Sequence, residues 1–188
     1  MSEETFEQIV RRLREGDPAT TQAVKRELQA LTALRSGRPG VEPGKDWYVV
    51  RVELLSGLGE EFDPPPGRDF LVSPQHSFRQ FADAINQAFA RWDLGHLYAF
   101  RFADGLWIGT PFEDSDVRPA SRTKIAGRTE GEVFDYEFDF GDSWEHQCTV
   151  LEAGVDPADV YGVRPKGPVV TWGWGAIPDQ YGRSTPEG

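Results

Sequence analysis

The stretch Phe134–His146, FDYEFDFGDSWEH, decides how the main part of this chain reads. Rings and carboxylates alternate along it. Side chains of a strand point to opposite faces in turn, so Phe134, Tyr136, Phe138 and Phe140 fall on one face and Asp135, Glu137 and Asp139 on the other. The aromatic face predicts core, and the acidic face predicts solvent or a cleft. Gly141–Ser143 predicts the turn, with Gly141 supplying a positive φ that other residues avoid. On the return strand Trp144, His146, Cys148 and Val150 share one mostly apolar face.

Working outward, Asp46–Leu55 and Arg68–Ser73 predict strands from their β-branched and aromatic residues, joined by the proline-rich GLGEEFDPPPG of residues 57–67. Ser77 and Gln80 form a capping box at the start of the clearest helix. Its stripe runs Phe78, Phe81, Ala82, Ile85, Ala88, Phe89, Trp92, and Gly95 ends it. Two further strands are expected at 96–102 and 106–111 around the ADG turn. The segment from Val155 onward, rich in Gly, Pro and Trp, reads as mostly irregular. There Trp172 and Trp174 are expected either to staple the tail to the core or to line a contact surface.

Residues 1–38 carry two amphipathic patterns, Phe6/Ile9/Val10/Leu13 and Val24/Leu28/Leu31/Leu34, which predict a helical hairpin ending at SGRPG. The expected organisation is a hairpin at 1–38, a main domain at 46–182 and a tail at 183–188. The expected class is α+β: an antiparallel or mixed sheet with one long amphipathic helix packed on it, plus the hairpin. The hairpin is expected either to dock its apolar stripes on the main domain or to serve as an arm for a protein partner or dimerisation through residues 1–36.

Composition narrows the function classes. The 188 residues hold 12 Phe, 6 Trp and 5 Tyr, enough for a real core, and a net charge of −11. Residues 1–38 hold 7 Lys/Arg and 6 Asp/Glu, leaving 13 and 25 for the rest. Nucleic-acid binding rests on neutralising phosphates with a basic face, so that class is disfavoured. A single cysteine, Cys148, allows no internal disulfide and fits a reducing cytoplasm. No stretch approaches the roughly 20 apolar residues of a membrane-spanning helix.

The candidate chemistry gathers around the histidines. His146, among apolar neighbours, reads either as a strut tied to Asp139 or Asp142, or as a metal ligand or general base. His96 opens another strand. His96, His146 and Asp142 form a conceivable divalent-metal set, although no HExxH or CxxC spacing supports it. The DFG at 139–141 lacks the companion motifs of a kinase, and no GxSxG elbow is present.

These residues match a known pattern. YEFDFGDSWEHQCTVLE (136–152) closely resembles the signature of the plasmid Orf-three-like family, whose members include TnpR-like passenger proteins of an insertion element. FARWDLGHLYAFRF (89–102) is similar to its second signature, and FDPPPGRDFLVS (62–73) fits its first connection. The resemblance covers about 46–182 and implies a compact α+β domain without an assigned activity. It marks Tyr136, Asp139, Phe140, Gly141, Asp142, Trp144 and His146, with Trp92, Asp93, His96 and Leu97. In AIPDQYG the family's acidic segment keeps Pro178, Asp179 and Gly182, while its glutamate and one glycine are missing.

The functional expectation is a cytoplasmic binding or regulatory module with an acidic-aromatic platform, possessing no predicted cofactor and linked to mobile elements. The alternatives are a metal-dependent hydrolase using the His and Asp residues of the signature hairpin, and, disfavoured by charge, a DNA-binding regulator. The site is expected at Asp139, Asp142, Trp144, His146, His96, Asp93 and Asp179, with Tyr136, Phe140, Gly141 and Trp92 as its structural frame.

Overall fold

The computed structural model describes residues 44–112 and 115–183. Its central strand, β1 (Trp47–Gly57), buries Val50, Val52 and Leu54 completely and turns Val49, Arg51 and Glu53 the other way. There follow β2 (Glu60–Glu61), β3 (Gly67–Val72), helix α1 (Phe78–Ala88), β4 (Tyr98–Phe102), β5 (Trp107–Gly109) and β6 (Arg118–Pro119). The chain continues through β7 (Val133–Phe138), β8 (Trp144–Val155), helix α2 (Pro157–Tyr161) and β9 (Val169–Trp174). All nine strands join one sheet in the order β6-β5-β4-β7-β8-β1-β3-β9, with β2 folded back on β1. Only β5–β6 is parallel; the other pairings are antiparallel.

Helix α1 forms where the capping box stands. Ser77 Oγ accepts the Gln80 N–H, and Gln80 Oε1 accepts the Ser77 N–H. Its stripe of Phe78, Phe81, Ala82 and Ile85 is buried against one sheet face. Phe81 stacks parallel to Phe100 at 5.9 Å and meets Phe70 edge-on at 5.6 Å. Phe78 packs on Phe100 and Phe134. Burying such a ring stabilises by about 2–3 kcal/mol, so this layer dominates the fold's stability. The one polar group on the buried stripe, Asn86, accepts the Tyr136 hydroxyl at 2.9 Å.

The expected α+β class is overturned. The described residues are mainly β: nine strands against helices of 11 and 5 residues, with no long helix. Helix α1 stops at Ala88, short of the Trp92 that the apolar stripe suggested. Ala90 takes a left-handed φ of 54°, and Arg91 then points inward instead of continuing the helix. The tail expected to be irregular contains α2 and the edge strand β9. The expected helical hairpin, its partner-arm role and the tail beyond residue 183 lie outside the described residues.

The opening stretch also departs from strict alternation. Strand β7 ends at Phe138, so Phe134, Tyr136 and Phe138 are buried while Phe140 leaves the core row. The turn does not use Gly141 for its left-handed residues. Those are Asp139 (φ 59°) and Ser143 (φ 49°), bridged by a 2.6 Å bond from the Ser143 N–H to the Asp139 carbonyl. Asp139 tolerates this conformation because its own Oδ1 accepts the Gly141 N–H at 3.1 Å.

Candidate functional site

Two histidines from the two family-like segments end up in unlike places. His146 lies on β8, opposite Tyr136 on β7 and Leu54 on β1, and is 1% exposed. Its Nδ1 lies 3.2 Å from the Tyr136 carbonyl and 3.1 Å from that of Trp144. Carbonyl oxygens only accept, so Nδ1 carries the proton and Nε2 is the bare nitrogen. Nε2 is buried without a partner, with the Phe89 ring edge-on at 4.9 Å. Burial pushes the His146 pKa down to about 3, helped by the charge of Arg91 and opposed by the Tyr136 carbonyl. The expected tie to Asp139 or Asp142 is therefore corrected: this strut is held by backbone.

Arg91 completes the same interior. Its guanidinium stacks 3.7 Å above the ring of Trp144, Nε donates to the Phe89 carbonyl and Nη2 to that of Pro178. Desolvation lowers its pKa to about 10 against the raising effect of Asp179. Arg91 Nη1 and Trp144 Nε1 share with His146 Nε2 the absence of a hydrogen-bond partner. Trp144 is thus a buried platform for Arg91, and its benzo edge is where a Cβ on Gly57 would lie only 2.1 Å away.

His96 is the opposite case. It sits just ahead of β4, partly exposed, above the edge of Phe138. Its Nδ1 lies 3.1 Å from Oδ2 of the buried Asp139. Its Nε2 lies 3.2 Å from the Tyr181 hydroxyl and 3.6 Å from Asp93 Oδ2. Tyr181 in turn donates to Asp93 Oδ2 at 2.8 Å. That bond is the main reason the Asp93 carboxyl is held below its ordinary value, aided by the Gly95 N–H. The same bond pushes the Tyr181 hydroxyl up to about 12. With its single proton on Asp93, Tyr181 offers His96 an acceptor.

The tail is fastened to this surface by Gln180, which is fully buried. Its Oε1 accepts the N–H groups of Trp92 (2.8 Å) and Asp93 (3.0 Å), and its Nε2 donates to the Asp93 carbonyl at 3.0 Å. Tyr181 meets the Trp92 ring edge-on at 5.1 Å. Arg183 lies 4.5 Å over that same ring, and its Nε and Nη2 each reach an oxygen of Asp179 at 3.2 Å. Arg183 holds the Asp179 carboxyl well below the usual range. The result is a shelf of loop 92–97 and tail 177–183.

Of the expected site residues, His96, Asp93 and Asp139 come together, and Asp179 joins them through the tail. His146 and Trp144 belong to the interior behind. Asp142 binds neither histidine; its carbonyl accepts the Leu58 N–H at 2.8 Å. The suggested metal set of His96, His146 and Asp142 is therefore not assembled, and no cluster of three His, Cys, Asp or Glu side chains among the described residues is arranged to hold a metal ion. Gln180, Tyr181, Arg183 and Arg91 were missed. The signal for Tyr181 was its place in PDQYG, beside residues already marked.

A mainly β, single-sheet domain with an acidic-aromatic shelf at one end is the class this arrangement defines. The chain belongs to the family described as plasmid pRiA4b ORF-3-like protein, which matches residues 47–180. It is 36% identical over 71 residues to the uncharacterized protein y4hQ of Sinorhizobium fredii (strain NBRC 101917 / NGR234), covering 35% of this chain and 36% of that protein. The chain thus matches little more than a third of that relative's length. The fold is similar to the crystal structure of the protein of unknown function MM3350 from Methanosarcina mazei Go1, with a TM-score of 0.54, 20% identity and 68% of each chain covered. Among the described residues no helix is long and apolar enough to cross a membrane.

Proposed function

We propose that this protein is a partner-binding module and that the shelf of residues 92–97 and 177–183 is its recognition surface. One observation carries this reading. Trp92, Leu94, Leu97 and Tyr181 are exposed, from 38% at Tyr181 to 56% at Leu94, on a surface that also carries Asp93 and Asp179. Large apolar side chains grouped on a surface mark contact sites, and carboxylates among them select a partner of opposite charge. The partner is a basic protein segment with an apolar anchor, in keeping with the chain's net charge of −11. The burial of Gln180 matters here because it fixes the surface before any partner arrives, which lowers the ordering cost of binding. The module works in the cytoplasm, where Cys148 stays a buried free thiol, and in the mobile-element setting that the family's plasmid name suggests.

The test is binding of the full chain to immobilised peptides that combine Arg or Lys with Leu or Phe. Affinity falls at least tenfold in the Leu94→Asp/Leu97→Asp double variant, and weakens with added salt. Equal binding by wild type and double variant, or no binding to any such peptide, sinks the reading.

A second reading has its own observation: the buried Asp139 carboxylate orients the His96 imidazole, which is the geometry of a general acid-base pair. Hydrolysis of simple esters or phosphoesters by the wild type, lost in both His96→Gln and Asp139→Asn, would move the assignment to an enzyme.

A further inference from the structure

The shelf already holds one cation, and the way it is held names a ligand. Arg183 lies flat over the indole of Trp92, 4.5 Å from the ring centre, and places two different nitrogens on the two oxygens of Asp179. A planar guanidinium does both things at once. It presents its face to an aromatic ring and its edge, as a fork, to a carboxylate. An ammonium is a point charge and makes only one of these contacts well. Trp92 and Asp179 are fixed from behind for this purpose. The main-chain N–H of Trp92 is bound to the buried Gln180 and its ring is met edge-on by Tyr181, while Asp179 Oδ1 accepts the main-chain N–H groups of Tyr181 (3.0 Å) and Arg183 (3.1 Å). Asp179 and Trp92 therefore form a seat that stands whether or not the Arg183 side chain fills it.

We infer that this seat takes an arginine side chain of the partner, and that Arg183 is its occupant in cis. The inference rests on the shelf being the recognition surface and adds two things to it: the partner's cation is a guanidinium, and the chain's own arginine competes with it. Arg183 is exposed and linked to the seat only four residues along the chain, so it can swing away without disturbing the sheet. While it is seated, the apparent affinity for an incoming guanidinium is reduced in proportion to the fraction of molecules with the seat free. Removing the side chain lifts that reduction. Asp93, Tyr181 and His96 lie beside the seat but keep their own hydrogen bonds, so they need not rearrange for the exchange.

The experiment uses the full chain and two probes, ethylguanidinium and ethylammonium chloride, at constant ionic strength. The readout is the indole N–H resonance of Trp92, assigned by its loss in Trp92→Phe. In Arg183→Ala the resonance should titrate at about tenfold lower ethylguanidinium concentration than in wild type, with ethylammonium about tenfold weaker again. Asp179→Asn in the Arg183→Ala background should remove the preference for ethylguanidinium. Identical titrations of wild type and Arg183→Ala would overturn the competition, and equal response to both probes would overturn the guanidinium assignment. Either failure leaves the peptide test of the shelf untouched. Loss of peptide binding in Leu94→Asp/Leu97→Asp, with these titrations flat, would separate the two ideas in the other direction.

Discussion

Two histidines mark two regions built by neighbouring parts of the same sequence, and they do opposite work. His146 is enclosed behind Phe89 with its protonated nitrogen on backbone carbonyls; His96 stands at the surface between carboxylates and a tyrosine hydroxyl. Asp139 and His146 belong to the same 13-residue stretch, yet one serves the shelf and the other the core. The lesson is that membership of a motif does not assign a role. Asp139 lies just past the end of β7, where a left-handed residue turns its carboxylate toward loop 92–97. His146 lies two residues into β8, where alternation has already committed it to the inner face.

The comparison breaks most visibly at His146. His146→Asp places a carboxylate beside Phe89 with no room for solvent, and should cost about 3–5 kcal/mol by thermal or urea unfolding, enough to unfold a marginal domain. A variant as stable as wild type would mean that the histidine is not buried. Next in size is the clamp. Gln180→Ala strands the N–H groups of Trp92 and Asp93, and should cost about 1–3 kcal/mol. Hydrogen exchange should rise at residues 92–96 while β1 and β8 stay protected; uniform acceleration would show that the tail supports the whole sheet instead.

The pH dependence follows from the same contrast. The folded pKa of His146 is about 3, below the unfolded value of about 6.5. Below pH 6.5 the unfolded chain therefore takes up a proton that the folded chain refuses. Stability is complete above that pH and declines as pH falls toward 3, at up to about 1.4 kcal/mol per pH unit. His76, also lowered by burial, adds to this in the same sense. His146→Phe should flatten the slope between pH 6.5 and 5; an unchanged slope would remove His146 as its source. The smallest effect belongs to His96. Its replacement by Ala should change stability by less than about 1 kcal/mol, because its links are partly exposed. A loss as large as that at His146 would mean that both histidines hold the fold together.

Much of the sheet was legible. The ring-carboxylate alternation placed Phe134, Tyr136 and Phe138 in the core, and the Ser77/Gln80 box located the start of α1. The expectation of a long helix failed because an apolar stripe records burial rather than backbone. Phe89 is buried as the cap, beyond the last helical residue, and Trp92 lies off the helix and 52% exposed. β9 was hidden because it is an edge strand with none of its residues buried, so no core-facing apolar row marks it. At the shelf, Asp93, His96 and Asp139 were within reach of a sequence reading. Arg91 and Gln180 were not, since a buried arginine or glutamine depends on backbone partners that only the tertiary fold supplies. The separation of His146 from His96 was likewise invisible, because the turn that divides them sets its left-handed residues at Asp139 and Ser143 rather than at its glycine.

The Gln180 amide has one more consequence, for the order in which the molecule comes apart. It bonds to residues 87 and 88 positions earlier. The pairing of β1 with β8 spans at least as far, Trp47 with Val155 among its pairs, but it meets the entropy of closure with a whole backbone ladder, where the Gln180 amide offers three hydrogen bonds. The shelf, so thinly repaid, should open before the sheet does. A brief fluctuation that frees the tail would dismantle the shelf while the nine-stranded sheet remains intact.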